Sequence, residues 1–217
     1  MHREEALDLL KKIQDKDLRS IAQEYVDKNE LTIWKAGKLQ KGWAGHVIER
    51  YLGLPLNSAQ SPNFGSWELK VVPLKIRKDG VLAVKETMAI TMIDPINVVQ
   101  KNFEDSHLFS KLQKMVICAR VFESKKENRS VLKSVATFDL NDLNILQRLK
   151  ADYELVQSVI RGQGFAALSG RLGDLVQPRT KGRGHGSTSR AFYARPHFVS
   201  YILGIGDLRP EGWNDNP

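Results

Sequence analysis

An α+β fold, with helices around a small mixed sheet and two lobes bordering a cleft, is predicted by three features of the sequence. Apolar residues recur at helical spacing over the first 28 positions, the pattern becomes strand-like after Ser66, and helical spacing returns after Asp142. Near the N-terminus, Leu7, Leu10 and Ile13, then Leu18, Ile21 and Tyr25, predict two short helices broken near Gln14–Asp17. "GWAGHVIERY" (Gly42–Tyr51) places Trp43, Val47 and Tyr51 on one helical face, and Gly53 supplies a stop. "SWELKVVPLKI" (Ser66–Ile76) predicts a strand, "KDG" (Lys78–Gly80) a hairpin turn, and Val81–Ile93 the returning strand. A short helix over Ser106–Gln113 precedes a buried strand over Met115–Phe122 and a further strand over Ser130–Leu140. Asp142 then caps a long helix through Ile160, closed by Gly162 and Gly164, and a last apolar helix runs from Pro196 to about Leu203. The expected organisation is one domain over 1–217, with a first lobe over about 1–125, a second over about 126–206 and a polar tail over 207–217.

Composition bounds the class of function. A chain of 217 residues that is 41% hydrophobic, with eight Phe and four Trp, is long and apolar enough to bury a substantial core. "MVICA" (Met115–Ala119) is among its longest apolar runs, so no membrane span is expected. The charged start "MHREEALDLLKK" has no apolar core of a signal peptide. One cysteine, Cys118, excludes an internal disulfide and a cysteine-based zinc site and fits a reducing cytoplasm. A net charge of +8 favours an acidic partner, and nucleic acid is the commonest one, bound through phosphate contacts and counterion release.

The chemistry concentrates in "SPNFGSWELK" (Ser61–Lys70). On a strand, Glu68 and Lys70 project to one face while Trp67, Leu69 and Val71 face the other. A carboxylate can hold a divalent cation against a phosphate and lower the pKa of its water, while a neighbouring ammonium offsets developing charge. The triplet alone is weak: Glu123-Ser124-Lys125 repeats it, and Glu with Lys is also an ordinary solvated strand face. Its surroundings add weight. Pro62-Asn63 lies a hairpin arm upstream, and Glu49 on the preceding helix can face the same point, giving an acidic pocket with one lysine in a basic chain.

A second unusual stretch is "PRTKGRGHGSTSRAFYARP" (Pro178–Pro196), basic and rich in glycine. Arg183 among glycines can approach a base edge, and Ser187, Thr188 and Ser189 supply small hydroxyls for phosphates or bases. The alternative is a basic loop giving only non-specific attraction.

"KGWAGHVIERYLG" (Lys41–Gly53), "PNFGSWELK" (Pro62–Lys70) with "VP" behind it, "ET" (Glu86–Thr87), "SHLFSKL" (Ser106–Leu112), "GDLVQPRTK" (Gly173–Lys181) and "RAFYARPHF" (Arg190–Phe198) follow one another in the order and rough spacing of a known group. Together they resemble the MutH family, which contains the methyl-directed mismatch-repair nicking endonuclease and related GATC-cutting type II restriction enzymes. The resemblance covers nearly the whole chain. It implies a restriction-endonuclease-like (PD-(D/E)xK) fold whose first lobe is catalytic and whose second reads duplex DNA, with Mg²⁺-dependent cleavage. It places catalytic roles on Glu49, position 63, Glu68, Lys70 and Lys111, and metal contacts on Glu49, Asn63, Glu68 and Leu69. It places base contacts on Arg179 and Lys181, and the sensing of adenine and its methylation on Tyr193.

The family pattern has aspartate where this chain has Asn63, and a slightly longer spacer to the glutamate. An asparagine carbonyl brings no charge to a hard cation, so weakened metal binding and catalysis are expected. Three accounts stand: a deliberately inactivated form, which is favoured, a natural pseudoenzyme, or sufficiency of Glu49 and Glu68. The functional expectation is a sequence-specific double-stranded DNA endonuclease of type II restriction character, at GATC or a related short site. Alternatives are a mismatch-repair nicking endonuclease that needs an activator protein, and a non-catalytic DNA-binding protein; the restriction reading adds a homodimer on DNA.

Overall fold

The structure, a computed structural model, describes residues 1–53, 65–124, 127–182 and 188–208. Asn63, Arg183 and Ser187 therefore lie outside the described residues. The chain begins with α1 (Arg3–Lys12) and α2 (Leu18–Asp27), broken at the predicted place. The break is stabilised by Asp17, whose carboxylate accepts from Arg19 N at 3.1 Å, capping α2, and from the distant Ser130 N at 2.7 Å. A two-stranded hairpin follows, β1 (Trp34–Lys35) and β2 (Lys38–Leu39), which the sequence reading does not anticipate. Helix α3 (Trp43–Tyr51) ends as expected at Gly53, whose φ of +73° suits a residue without a Cβ.

The predicted strand after Ser66 is β3 (Glu68–Ile76), but the single return strand over Val81–Ile93 is two strands in two sheets. β4 (Leu82–Val84) pairs with β3, whereas β5 (Met88–Met92) leaves to pair with a strand near the C-terminus. The chain changes sheets across Lys85–Thr87: Lys85 N makes the last bond to Pro73 O, at 3.0 Å, and Met88 already faces Ala194. Helix α4 (Pro95–Gln100) was not expected either; Asp94 caps it, accepting from Ile96 N and Asn97 N, with Pro95 in its first turn. Then come α5 (His107–Leu112), β6 (Lys114–Val121), β7 (Leu132–Asp139) and α6 (Leu143–Gln163), the last capped by Asp142 as predicted. β8 (Val176–Thr180), β9 (Arg190–Ala194) and α7 (Pro196–Ile202) complete the order.

The main sheet has the order β4-β3-β6-β7, parallel between β3 and β6 and antiparallel elsewhere. β3 and β6 are central, and alternate residues of both enter two separate cores. Trp67, Leu69, Val116 and Cys118 pack with Leu10, Ile21, Val47 and Ile48 of the three N-terminal helices. Val72, Leu74, Met115 and Ile117 pack with Leu149, Tyr153, Phe192 and Phe198 on the opposite face. A strand buried on both sides reads as the continuous apolar run "MVICA", and each fully buried aliphatic side chain there contributes roughly 1.5–3 kcal/mol. Cys118 is wholly buried, and desolvation pushes its thiol pKa to about 12, so it is packing and not chemistry.

The second sheet, β5-β9-β8, is antiparallel and is held to α6 by a buried carboxylate. Asp152 accepts from the backbone N–H groups of Asp174, Leu175 and Val176 at 2.6, 2.7 and 2.8 Å. Burial pushes its pKa up, and the three N–H groups oppose that shift. The turn depends on Gly173 at φ +78°, since a Cβ there would lie 1.9 Å from Val176 O. Arg195 closes it from the other side, donating to the carbonyls of Gly170, Leu172 and Gly173. This clamp fixes where β8 starts and hence where Arg179 and Lys181 emerge. Among the described residues no helix is long and apolar enough to cross a membrane.

Candidate active site

Glu68 opens β3 and is completely buried. Its register opposite Met115 of the parallel neighbour β6 turns its carboxylate and the ammonium of Lys70, two residues on, to the same face, as strand alternation requires. A buried carboxylate needs partners. Glu68 Oε1 accepts from Lys70 Nζ at 2.5 Å and from Lys111 Nζ at 3.0 Å. Lys111 is brought there by α5, whose start is fixed by Ser106: its Oγ accepts from Phe109 N at 3.1 Å and donates to Phe103 O at 2.6 Å. Leu108 and Leu112 bury the helix's other face, which leaves Lys111 in its last turn directed at Glu68 with its side chain only 8% exposed.

Glu49, half-buried near the end of α3, belongs to the same electrostatic neighbourhood. Burial raises its pKa first, Lys70 opposes that, and the carboxylate of Glu68 raises it further. Lys111 is lowered by burial, held up by Glu68, and lowered again by Lys70 and Lys181. Lys181, just beyond β8, is lowered by partial desolvation and then by Lys70. Two carboxylates and three ammonium groups thus share one electrostatic neighbourhood. The expected acidic pocket with a single lysine is in this respect different: two further lysines arrive from α5 and from the end of β8. They are invisible to a local reading because they lie 43 and 113 positions from Glu68 in the chain.

The donor chemistry fits a hard, oxygen-preferring divalent cation. Two carboxylates in one field, one of them raised by burial and by the other's charge, are in the condition a cation relieves. The set is thin, since among the described residues no group of three His, Cys, Asp or Glu side chains is positioned for a metal. Leu69 lies between Glu68 and Lys70, 5% exposed, with its side chain in the core of the N-terminal helices.

A second polar cluster stands on the other sheet. Arg179 Nη1 donates to Thr87 Oγ1 at 3.0 Å, and its guanidinium carbon lies 5.9 Å from the centre of the Tyr193 ring. Tyr193 sits between Gln177 of β8 and Ala89 of β5. Burial raises its phenol pKa, Arg179 opposes the shift and Glu86 adds to it. Lys181 N donates to Ser189 O at 2.9 Å, which continues the β8–β9 pairing past the ends of both strands. Lys181 therefore belongs to both groups: its backbone to the β8–β9 hairpin, its charge to the carboxylate site. Thr87 carries no local signal in the sequence; its bond to Arg179 becomes visible only once β5 and β8 are assembled around β9.

The family model described as "DNA mismatch repair enzyme MutH" matches residues 52–151, the stretch that holds Glu68, Lys70 and Lys111. Over that stretch the chain is similar to the MutH family. The fold itself is α+β, with helices around two sheets. MutH-family proteins match well beyond that stretch: "DNA mismatch repair protein MutH" of Haemophilus ducreyi is 27% identical over 178 residues, 75% of this chain and 77% of that protein. The protein of the same name from Vibrio campbellii is 26% identical over 215 residues, covering 90% of this chain and 92% of its own length. "Type II restriction enzyme Sau3AI" of Staphylococcus aureus is 25% identical over 199 residues, 84% of this chain. The chain spans only 41% of the length of that enzyme. Among solved structures, a complex of the restriction endonuclease MvaI with its cognate DNA substrate aligns over 88% of this chain and 95% of that one, at 13% identity and a TM-score of 0.35.

Proposed function

We propose that the chain is a sequence-specific, Mg²⁺-dependent endonuclease for duplex DNA, of type II restriction character, whose activity is held low by Asn63. The observation that carries this reading is the buried Glu68 carboxylate, bonded to Lys70 and Lys111 and sharing its field with Glu49. Glu49, Glu68 and the main-chain carbonyl of Leu69 would hold the cation, with position 63 contributing an uncharged oxygen. Mg²⁺, when bound, neutralises phosphate charge and makes water a better nucleophile at neutral pH. The ammonium groups of Lys70 and Lys111 act on the backbone phosphate directly, offsetting charge that grows on its oxygens as the bond to the sugar oxygen breaks. Burial keeps this corner poor in water, which strengthens those interactions.

Arg179, Lys181 and Tyr193 read the bases, and GATC or a related short site is the proposed target. Lys181→Ala is expected to relax or abolish the preference for that site. A lost phosphate contact would instead weaken every sequence alike. Fluorescence titration of a GATC duplex against a scrambled duplex checks this, and an unchanged preference removes Lys181 from base reading. Thr87 holds Arg179 in position without touching DNA. Thr87→Val, which deletes the hydroxyl acceptor at constant shape, is expected to lower the same preference about tenfold, since a good bidentate base contact is worth about 1–3 kcal/mol. Thr87→Ser retains the hydroxyl and should restore the preference; a global fold defect would not be rescued in that way. Equal preferences in Val and Ser variants contradict the positioning role.

The experiment that tests the activity is digestion of unmethylated, hemimethylated and fully methylated GATC plasmids by the Asn63→Asp protein with Mg²⁺. Double-strand cutting supports restriction, nicking of hemimethylated DNA alone supports the repair-type reaction, and binding without cutting supports a non-catalytic protein.

A further inference from the structure

We propose that the β1–β2 hairpin is a sequence-independent clamp for the phosphate backbone of the DNA, separate from the base-reading cluster. The inference rests on the DNA reading given above. Residues 31–48 contain Lys35, Lys38 and Lys41 and no acidic residue. Within the hairpin, Lys35 is paired directly opposite Lys38. Like charges facing each other across an antiparallel pair oppose the pairing by some tenths of a kcal/mol. Both lysines are exposed, and among the described residues no carboxylate forms an ion pair with either. The turn between them is strained as well: Ala36 has φ +48° and Gly37 φ +70°, the left-handed pair of a two-residue hairpin, and alanine is a poor occupant of that region. A two-residue ribbon carrying like charges on a strained turn has little stability of its own.

The rest of the molecule holds it in place. Gln40 N donates to Ile33 O at 2.8 Å and Gln40 Nε2 to Thr32 O at 2.9 Å. Behind the hairpin, the guanidinium of Arg19 lies 5.0 Å from the Trp34 ring and 5.4 Å from the buried Trp43 ring, with Trp34 itself 44% exposed. Two of the Arg19 nitrogens, Nε and Nη1, are buried without a hydrogen-bond partner, so the guanidinium serves as a cationic wedge that fixes the ribbon. The result is a tethered projection bearing two exposed lysines paired across the hairpin, and among the described residues no carboxylate forms an ion pair with either. A pair of adjacent anionic oxygens supplies what is missing.

Placement selects DNA as their source. Gln40 also accepts from Trp43 N at 3.2 Å, tying the hairpin to the start of α3, and six residues later the same helix presents Glu49. Six residues of helix span about 9 Å, about three base steps of a strand. In the proposed clamp, the phosphates flanking the scissile one run along α3 towards Lys35 and Lys38.

The test compares the parent chain with the Lys35→Gln/Lys38→Gln variant, both residues being exposed and the stability change small. Affinity for a GATC duplex and a scrambled duplex is measured by fluorescence anisotropy from 50 to 200 mM salt. Loss of two phosphate contacts should lower the salt slope by about 1.8 and shrink the affinity change across this range about tenfold. Binding should weaken equally for both duplexes, leaving the sequence preference intact. An unchanged slope overturns the clamp, as does a change in preference without a change in slope. If the parent itself binds no duplex, the endonuclease reading fails, which is distinct from failure of the hairpin alone.

Discussion

Replacing Asn63 by aspartate is expected to raise Mg²⁺-dependent cleavage of duplex DNA by about 10² to 10³-fold. A unit charge about 4 Å from another interacts with about 4 kcal/mol at the effective dielectric of a partly buried site, and each 1.4 kcal/mol is a factor of ten. The described site makes this sensitivity concrete. Glu68 already shares one oxygen between two ammonium groups, and Lys181 adds a third positive charge to the field. In the proposed metal site, Glu49 and Glu68 with a neutral residue at 63 would set two negative charges against the three positive ones of Lys70, Lys111 and Lys181, which disfavours a cation. Adding one carboxylate restores the balance. Single-turnover cleavage of a radiolabelled GATC duplex, with and without Mg²⁺, measures the effect. A variant that binds this duplex as the parent does but cuts it no faster removes the catalytic assignment from position 63.

Glu68→Gln is expected to abolish cleavage and to cost about 3–5 kcal/mol of stability, because it leaves the buried Lys111 ammonium without its counter-charge. Here stability and chemistry can be separated. Adding Lys111→Met to Glu68→Gln removes the orphaned charge and should recover most of the lost stability while leaving activity at zero. The pH dependence has a definite sign. Burial already lowers the Lys111 pKa, and Glu68 is the first influence opposing it. In Glu68→Gln the folded-state pKa falls further, so at alkaline pH the folded chain binds fewer protons than the unfolded one. The stability of that variant therefore rises with pH from the lowered lysine pKa up to the ordinary value of 10.5. Thermal unfolding across that range checks it, and a flat profile would show that Lys111 is not buried against Glu68.

The parts of the site that share one element were legible in the sequence, and the parts assembled from several were not. Strand alternation alone puts Glu68 and Lys70 on one face, and the structure has them hydrogen-bonded to each other. Lys111 reads locally as a solvated lysine at a helix end; only the family resemblance singled it out, because its contact is made across the sheet. The return strand over Val81–Ile93 looked continuous because Lys85-Glu86-Thr87 interrupts it without a Gly, Pro, Asn or Asp turn signal; its first part pairs with β3 and its second with β9. The β1–β2 hairpin escaped because its strands are two residues long and its turn is Ala-Gly, which lacks the usual Asn or Asp. α4 had its signal in Asp94-Pro95, an N-cap followed by a first-turn proline, at the end of a run that otherwise reads as strand.

Everything proposed for catalysis depends on Glu49 and Glu68 acting as one oxygen-donor site although they come from a helix and a strand. Titration calorimetry with Mn²⁺, in the presence of a GATC duplex, measures this without any reliance on cleavage. One ion per chain is expected for the parent, bound more tightly after Asn63→Asp and no longer detectably after Glu49→Gln. Retention of the same ion at unchanged affinity in Glu49→Gln would contradict the shared site.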